Sequence, residues 1–170
     1  MNASSLPRLL ACLGLGASLA CSALAAGPKP ADLVTVTFDD PDHFTDASER
    51  FLNSTSIADL DELRVCVQQT AARLLPAGCH LNVTFLDLDL AGMIRPDKDN
   101  LRFMTAGTFP RAHVRFQLVD ANGTVRHEGE RRLSDTDYQR SILLIGRNEP
   151  LFYDKAMLKD WLAKELKRKS

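Results

Sequence analysis

Little in this chain advertises a chemistry. Its 170 residues include four cysteines, one tryptophan and two tyrosines, and aromatic residues make up only 6%. Ring area is scarce, so aliphatic side chains must fill most of any core. Neither charge sign dominates, with 21 Lys and Arg against 22 Asp and Glu. That balance excludes a general binder of nucleic acid or anionic membrane, which needs a basic excess. A nucleophile elbow, a phosphate-binding glycine loop and a paired CxxC are all missing. His43, His80, His113 and His127 show no metal-ligand spacing. Ser141 and the other serines have no catalytic motif around them.

What is present is ordinary globular usage: 45% apolar and 25% charged residues, at a length that suits one domain. The N-terminus is a separate object. Arg8 is its basic residue, Leu9 to Leu24 carries no charge, and Ala23-Leu24-Ala25 is a small-x-small site. This is the layout of a secretory leader. It is too short, and too rich in Gly and Ser, for a membrane span of about 20 apolar residues. Residues 1–26 are therefore expected to be cleaved after Ala25 or Ala26, leaving the mature chain in a bacterial periplasm. Lipid anchoring through Cys21 is the lesser reading, because Ser18 stands where lipoprotein leaders usually carry an aliphatic residue. No later apolar run is long enough to span, so no transmembrane anchor is expected after cleavage. Without Arg8 the chain holds 20 basic and 22 acidic residues, close to neutral.

Residues 27–32 read as a flexible, Pro-rich mature N-terminus, and 33–170 as a single α+β domain. Leu33 to Phe38 alternates as a strand, stopped by Asp39-Asp40-Pro41-Asp42. Thr45 to Leu52 is assigned a short helical turn. Ser56 to Leu75 is a helix: Ser56 and Asp59 form a capping box, and Leu60, Leu63, Val67, Ala71 and Leu74 make one stripe. His80 to Leu90 is a second strand with apolar residues on both faces, which implies a central position or a bulge near Phe85. His113–Val119 and Thr124–Leu133 form a hairpin closed by a two-residue Asn122-Gly123 turn. That register pairs Leu118 with His127, Phe116 with Gly129, Arg115 with Glu130 and His113 with Arg132. Ile142–Ile145 is an apolar run of either type, and Pro150 to Lys167 is a final helix. The expected architecture is a mixed or antiparallel sheet of about four strands with two main helices packed on one face.

Several segments resemble a bacterial family of exported proteins known as domain of unknown function 3016. They are Val36-Thr37-Phe38 with Phe44-Thr45-Asp46, Leu75-Pro76-Ala77-Gly78, Asp87-Leu88-Asp89-Leu90-Ala91-Gly92, Pro110-Arg111, and Tyr153-Asp154-Lys155 with Met157-Leu158 and Trp161. The Asp-Leu-Asp-Leu-Ala-Gly run is the most telling. Asp154 departs from the Glu expected at its position. The resemblance runs from about Leu33 to Glu165, and implies export and one domain. It carries no activity and no catalytic residue.

Asp87 and Asp89 stand two apart on a strand, so they share a face. Two carboxylates there repel unless a cation or proton lies between them. One reading is a ligand site joining them to Arg111, His127 or Arg131; the other is that both meet water or cap a loop. Asp39, Asp40, Asp42, His43 and Asp46 lack calcium-loop spacing and read as a solvated turn, so no metal site is assigned. Arg111, Arg115, Arg126, Arg131, Arg132, Arg140 and Arg147 read as a salt-bridged sheet face, with an anionic partner as the alternative. Cys66 and Cys79 invite a disulfide in an oxidising compartment. A strand turning back along the helix would leave them roughly 12 Å apart, beyond the ~7 Å a bridge spans, so both states stay open. The functional expectation is a non-enzymatic binding or accessory module of the envelope. It needs no cofactor, and its partner is an unidentified envelope protein or small ligand. The alternative is a small enzyme, or a metal- or ligand-binding protein, using the Asp87 and Asp89 region.

Overall fold

A computed structural model describes residues 27–47, 55–98, 101–140 and 149–167. The leader assigned to residues 1–26, most of the helical turn expected after Thr45, and the apolar run 142–145 lie outside the described residues. So do Ser141, Arg147 and the chain after Lys167.

The lead-in assigned as flexible closes into one helical turn, α1 (Pro30–Leu33), where the Lys29 amide donates to the Asp32 carboxylate. Strand β1 (Val34–Phe38) follows. Val34 and Val36 point into the core and Thr35 and Thr37 away from it, as alternation demands. Helix α2 (Ile57–Ala72) starts at Ser56, whose hydroxyl accepts the Asp59 amide at 3.2 Å. Leu60, Leu63, Cys66, Val67 and Ala71 form its buried stripe. The crossover returns the chain as β2 (His80–Asp89), parallel to β1, with Val34 opposite Leu81 and Phe38 opposite Phe85.

A small two-stranded arm then interrupts the sheet: β3 (Met93–Arg95) and β4 (Leu101–Phe103). Strand β5 (Arg111–Val119) re-enters antiparallel to β2, and β6 (Val125–Ser134) pairs antiparallel with β5. Sheet order is β1-β2-β5-β6. Helix α3 (Phe152–Lys167) closes the chain and buries Met157, Leu158, Trp161, Leu162 and Leu166. Both long helices contribute to one core with Leu81, Val83, Phe85, Val114, Phe116 and Leu118. Each such side chain contributes roughly 1.5–3 kcal/mol on burial. The expected α+β architecture, a mixed sheet with two long helices on one face, is the one observed.

One local expectation needs correcting. The hairpin keeps the expected pairing from Leu118–His127 to His113–Arg132, but its turn is wider than two residues. The Gly123 amide donates to the Asp120 carbonyl, the Asp120 amide to the Thr124 carbonyl, and Gly123 alone takes positive φ, at 81°. Asp120 explains this, since its carboxylate accepts the amides of Asn122 and Thr124 and draws the loop around itself. A register shift between Leu118 and Val119 absorbs the extra residue. Cys66 is buried on α2, Cys79 is half-buried before β2, and both are free thiols.

Candidate functional site

With both long helices on one side, no helix of the described residues covers the other side of the sheet, the bare face below. It carries Thr35 and Thr37 of β1, Asn82 and Thr84 of β2, Arg115 and Gln117 of β5, and Glu128 and Glu130 of β6. These polar side chains hydrogen-bond across strands: Thr37 with Thr84 at 3.0 Å, Gln117 with Glu128 at 2.8 Å, His113 with Glu130 at 2.6 Å.

Strand β2 does not run straight along this face. A register shift between Phe85 and Asp87 breaks the alternation, so Phe85 and Leu88 both enter the core, at 0% and 1% exposure. Asp87 and Asp89 are thereby moved to the bare face. They do not share the face of Leu81, Val83 and Phe85 that unbroken alternation would give. Asp87 lies opposite His113, and Asp89 opposite Arg111. The Asp87 carboxylate is already occupied. It accepts the Thr45 amide at 2.7 Å, the Thr45 hydroxyl at 2.8 Å and the Leu88 amide at 2.8 Å. It thus pins the loop after β1, whose Asp46 bridges back to the end of β2. Asp89 accepts from Arg111 Nη1 at 2.6 Å. Arg111 lies over the Phe109 ring with its Cζ 4.0 Å from the centroid, a cation–π contact.

Between these groups and the end of β6 lies an open groove of about 360 Å³. Asp87, Phe109, Arg111, His113, Arg132, Ser134 and Thr136 line it. Arg132 is exposed and makes no ion pair among the described residues.

His127 and Arg131, the other two candidate ligands, are not here. Opposite Leu118 and Val114, they share the helix-covered face. There Glu165 of α3, 6% exposed, receives Arg131 Nε at 2.9 Å, Arg131 Nη2 at 2.8 Å and His127 Nε2 at 2.7 Å. Burial pulls the Glu165 carboxyl upward, but the Arg131 and His127 hydrogen bonds outweigh it and hold it below the usual range. The Phe116 ring packs against His127, Trp161 and the Arg131 guanidinium. Gly129 keeps this space open, for a Cβ there would come within 2.8 Å of Arg131 Nη1. The five candidates thus divide between two faces, because the hairpin register pairs odd positions of β5 with even positions of β6, so Arg111 faces Ser134 while His127 and Arg131 face Leu118 and Val114.

The arm is tied to the domain through its base. Arg102 of β4 reaches the Asp46 carboxylate with two bonds of 2.8 and 3.1 Å and the Gly92 carbonyl at 3.1 Å. The Gly92 amide donates to Thr108. Gly92 has φ 87°, and a Cβ there would fall 2.8 Å from the Phe103 carbonyl, so only glycine fits. Asp154, 2% exposed in the first turn of α3, accepts the Ala91 amide at 3.0 Å. Burial pushes its carboxyl up to about 6, against the opposing pull of the Ala91 bond and of Arg102. One face of the arm combines exposed apolar side chains with Arg95, which lies opposite Leu101, sets its guanidinium over the Phe103 ring and pairs with Asp97. Met93 lies opposite Phe103, Leu101 follows, and Met104 adjoins them, all exposed by 37–46%.

The acidic stretch after β1 disperses rather than converging. His43 pairs with Asp40 at 2.9 Å in a solvated turn, and Asp46 turns to Arg102. Among the described residues no group of three His, Cys, Asp or Glu side chains is placed to hold a metal. Sequence reasoning singled out Asp87, Asp89 and Arg111 but missed Phe109, Ser134 and Thr136 as groove walls, since no spacing links them. Glu165 carried a signal that went unread: it falls on the inward stripe of α3, where a carboxylate needs a cation opposite.

No curated protein and no solved structure matches this chain. A family model does match, over residues 32–164, nearly all of the domain. The chain belongs to the family described as protein of unknown function, DUF3016.

Proposed function

We propose that this protein acts after export, in the periplasm, as a non-enzymatic binding module that presents the β3–β4 arm to an envelope protein. The observation that carries this reading is the arm's group of exposed apolar side chains, Met93, Leu101, Phe103 and Met104, together with the Arg95 guanidinium over the Phe103 ring. Isolated exposed apolar side chains are common, but a cluster on a projecting element marks a contact surface. Two of the four are methionines, whose flexible thioethers adapt to a partner. The arm is also held firmly at its base by Arg102 and Asp46, so little order has to be gained on docking. The carboxylates of the alternative reading, Asp87 and Asp89, are engaged by Thr45 and Arg111, which favours a structural role for them.

The test is a double replacement, Met93→Ser with Phe103→Ser, followed by chemical crosslinking in the periplasm. The reading predicts an unchanged melting temperature and the loss of a discrete crosslinked adduct. An adduct that survives both replacements contradicts it.

A further inference from the structure

We infer that the groove on the bare sheet face is a binding site for a monocarboxylate that carries an apolar or aromatic body. The argument is a count of hydrogen-bonding capacity. Asp87, the carboxylate lining the groove, already accepts three hydrogen bonds from Thr45 and Leu88. His113 is engaged by Glu130 through Nε2. What remains uncommitted among the described residues is an excess of donors: the Arg132 guanidinium, the further N–H groups of Arg111, and the hydroxyls of Ser134 and Thr136. A donor-rich surface selects an anion, and a planar guanidinium matches a planar carboxylate.

The charge of the site sets the valence. Arg111 and Arg132 face Asp87 in the groove and Asp89 beside it, so the surface is near neutral before a ligand arrives. A monoanion is accommodated there, whereas a phosphate dianion meets the Asp87 charge. Phe109, lying under the Arg111 guanidinium, supplies the apolar wall. A volume of about 360 Å³ suits a small organic acid or the C-terminal residue of a peptide. This site lies on the sheet, separate from the arm, so it stands or falls independently of the arm reading.

The experiment is amide-resolved NMR titration of the exported chain with benzoate, benzamide, N-acetylphenylalanine and inorganic phosphate. Benzoate is expected to give saturable shifts at residues 109–113 and 132–136, with a dissociation constant at or below about 1 mM. Benzamide should bind at least about tenfold more weakly, and Arg132→Met should weaken benzoate about tenfold while leaving the melting temperature unchanged. Tighter binding of N-acetylphenylalanine than of benzoate identifies a peptide C-terminus as the source of the carboxylate; the reverse order identifies a free acid. The inference is overturned by equal binding of benzoate and benzamide, by unaltered affinity in Arg132→Met, by phosphate binding more tightly than either carboxylate, or by no saturable shift up to about 10 mM.

Discussion

The two faces of the sheet use the same ion-pair chemistry to opposite ends. On the covered face, Glu165 at 6% exposure is held by Arg131 and His127 beneath helix α3. On the bare face, Asp89 is held by Arg111, whose side chain is 48% exposed. A buried carboxylate without its cation is a large liability, while a solvated pair is worth little. The comparison teaches that the same ion-pair chemistry carries much stability when buried on the covered face and little when solvated on the bare one.

Breaking that contrast starts with Glu165→Ala. It leaves Arg131 and His127 against the Phe116 and Trp161 rings without their acceptor. Loss of a buried partner costs 3–5 kcal/mol, and Arg131 can still reach water, so the expected loss is about 3 kcal/mol in denaturant unfolding. A loss below about 1 kcal/mol would place Glu165 in the same class as the surface pairs.

Asp154 sharpens the contrast from the other end of α3, because it is buried with no direct cation partner among the described residues. Its carboxyl is raised to about 6 from an ordinary 3.8. The native chain therefore keeps a proton that the unfolded chain releases between about pH 4 and pH 6, and stability falls as pH rises through that window. Asp154→Asn preserves an acceptor for the Ala91 amide and removes the charge. The variant should gain about 2 kcal/mol over its parent between pH 4 and pH 7, read from paired unfolding curves. An identical pH dependence in the two proteins would contradict this.

Smaller effects belong to the bare face. Asp87→Ala frees Thr45 and Leu88 and should cost about 1–2 kcal/mol, mostly by loosening the loop after β1. Asp89→Asn should cost under about 1 kcal/mol, a shift of a few degrees in melting temperature at most. If Asp89→Asn proved as harmful as Glu165→Ala, the division between the faces would fail.

Much of the fold was legible in the chain. Period-2 alternation located β1, β5 and β6, and the Ser56 cap with its apolar stripe located α2. The hairpin register followed from the pairing pattern even though Asp120 reshaped the turn. The candidate site was less legible. Asp87 and Asp89 changed face because the irregularity after Phe85 costs one residue of register, and a one-residue slip exchanges the two faces of a strand. The arm was invisible to periodicity, since three-residue strands are too short to show a period. Arg102, which ties the arm to Asp46, stands 56 residues from its partner in sequence, and no local pattern reports such a contact.

Site-specific photocrosslinking from the arm tests the central claim most directly. A photoreactive residue is placed at Phe103, and at Ile57 as a control, which is 76% exposed at the start of α2. The account predicts one discrete adduct from position 103, abolished by Met93→Ser, and none from position 57. No adduct from position 103, or the same adduct from both positions, would contradict it.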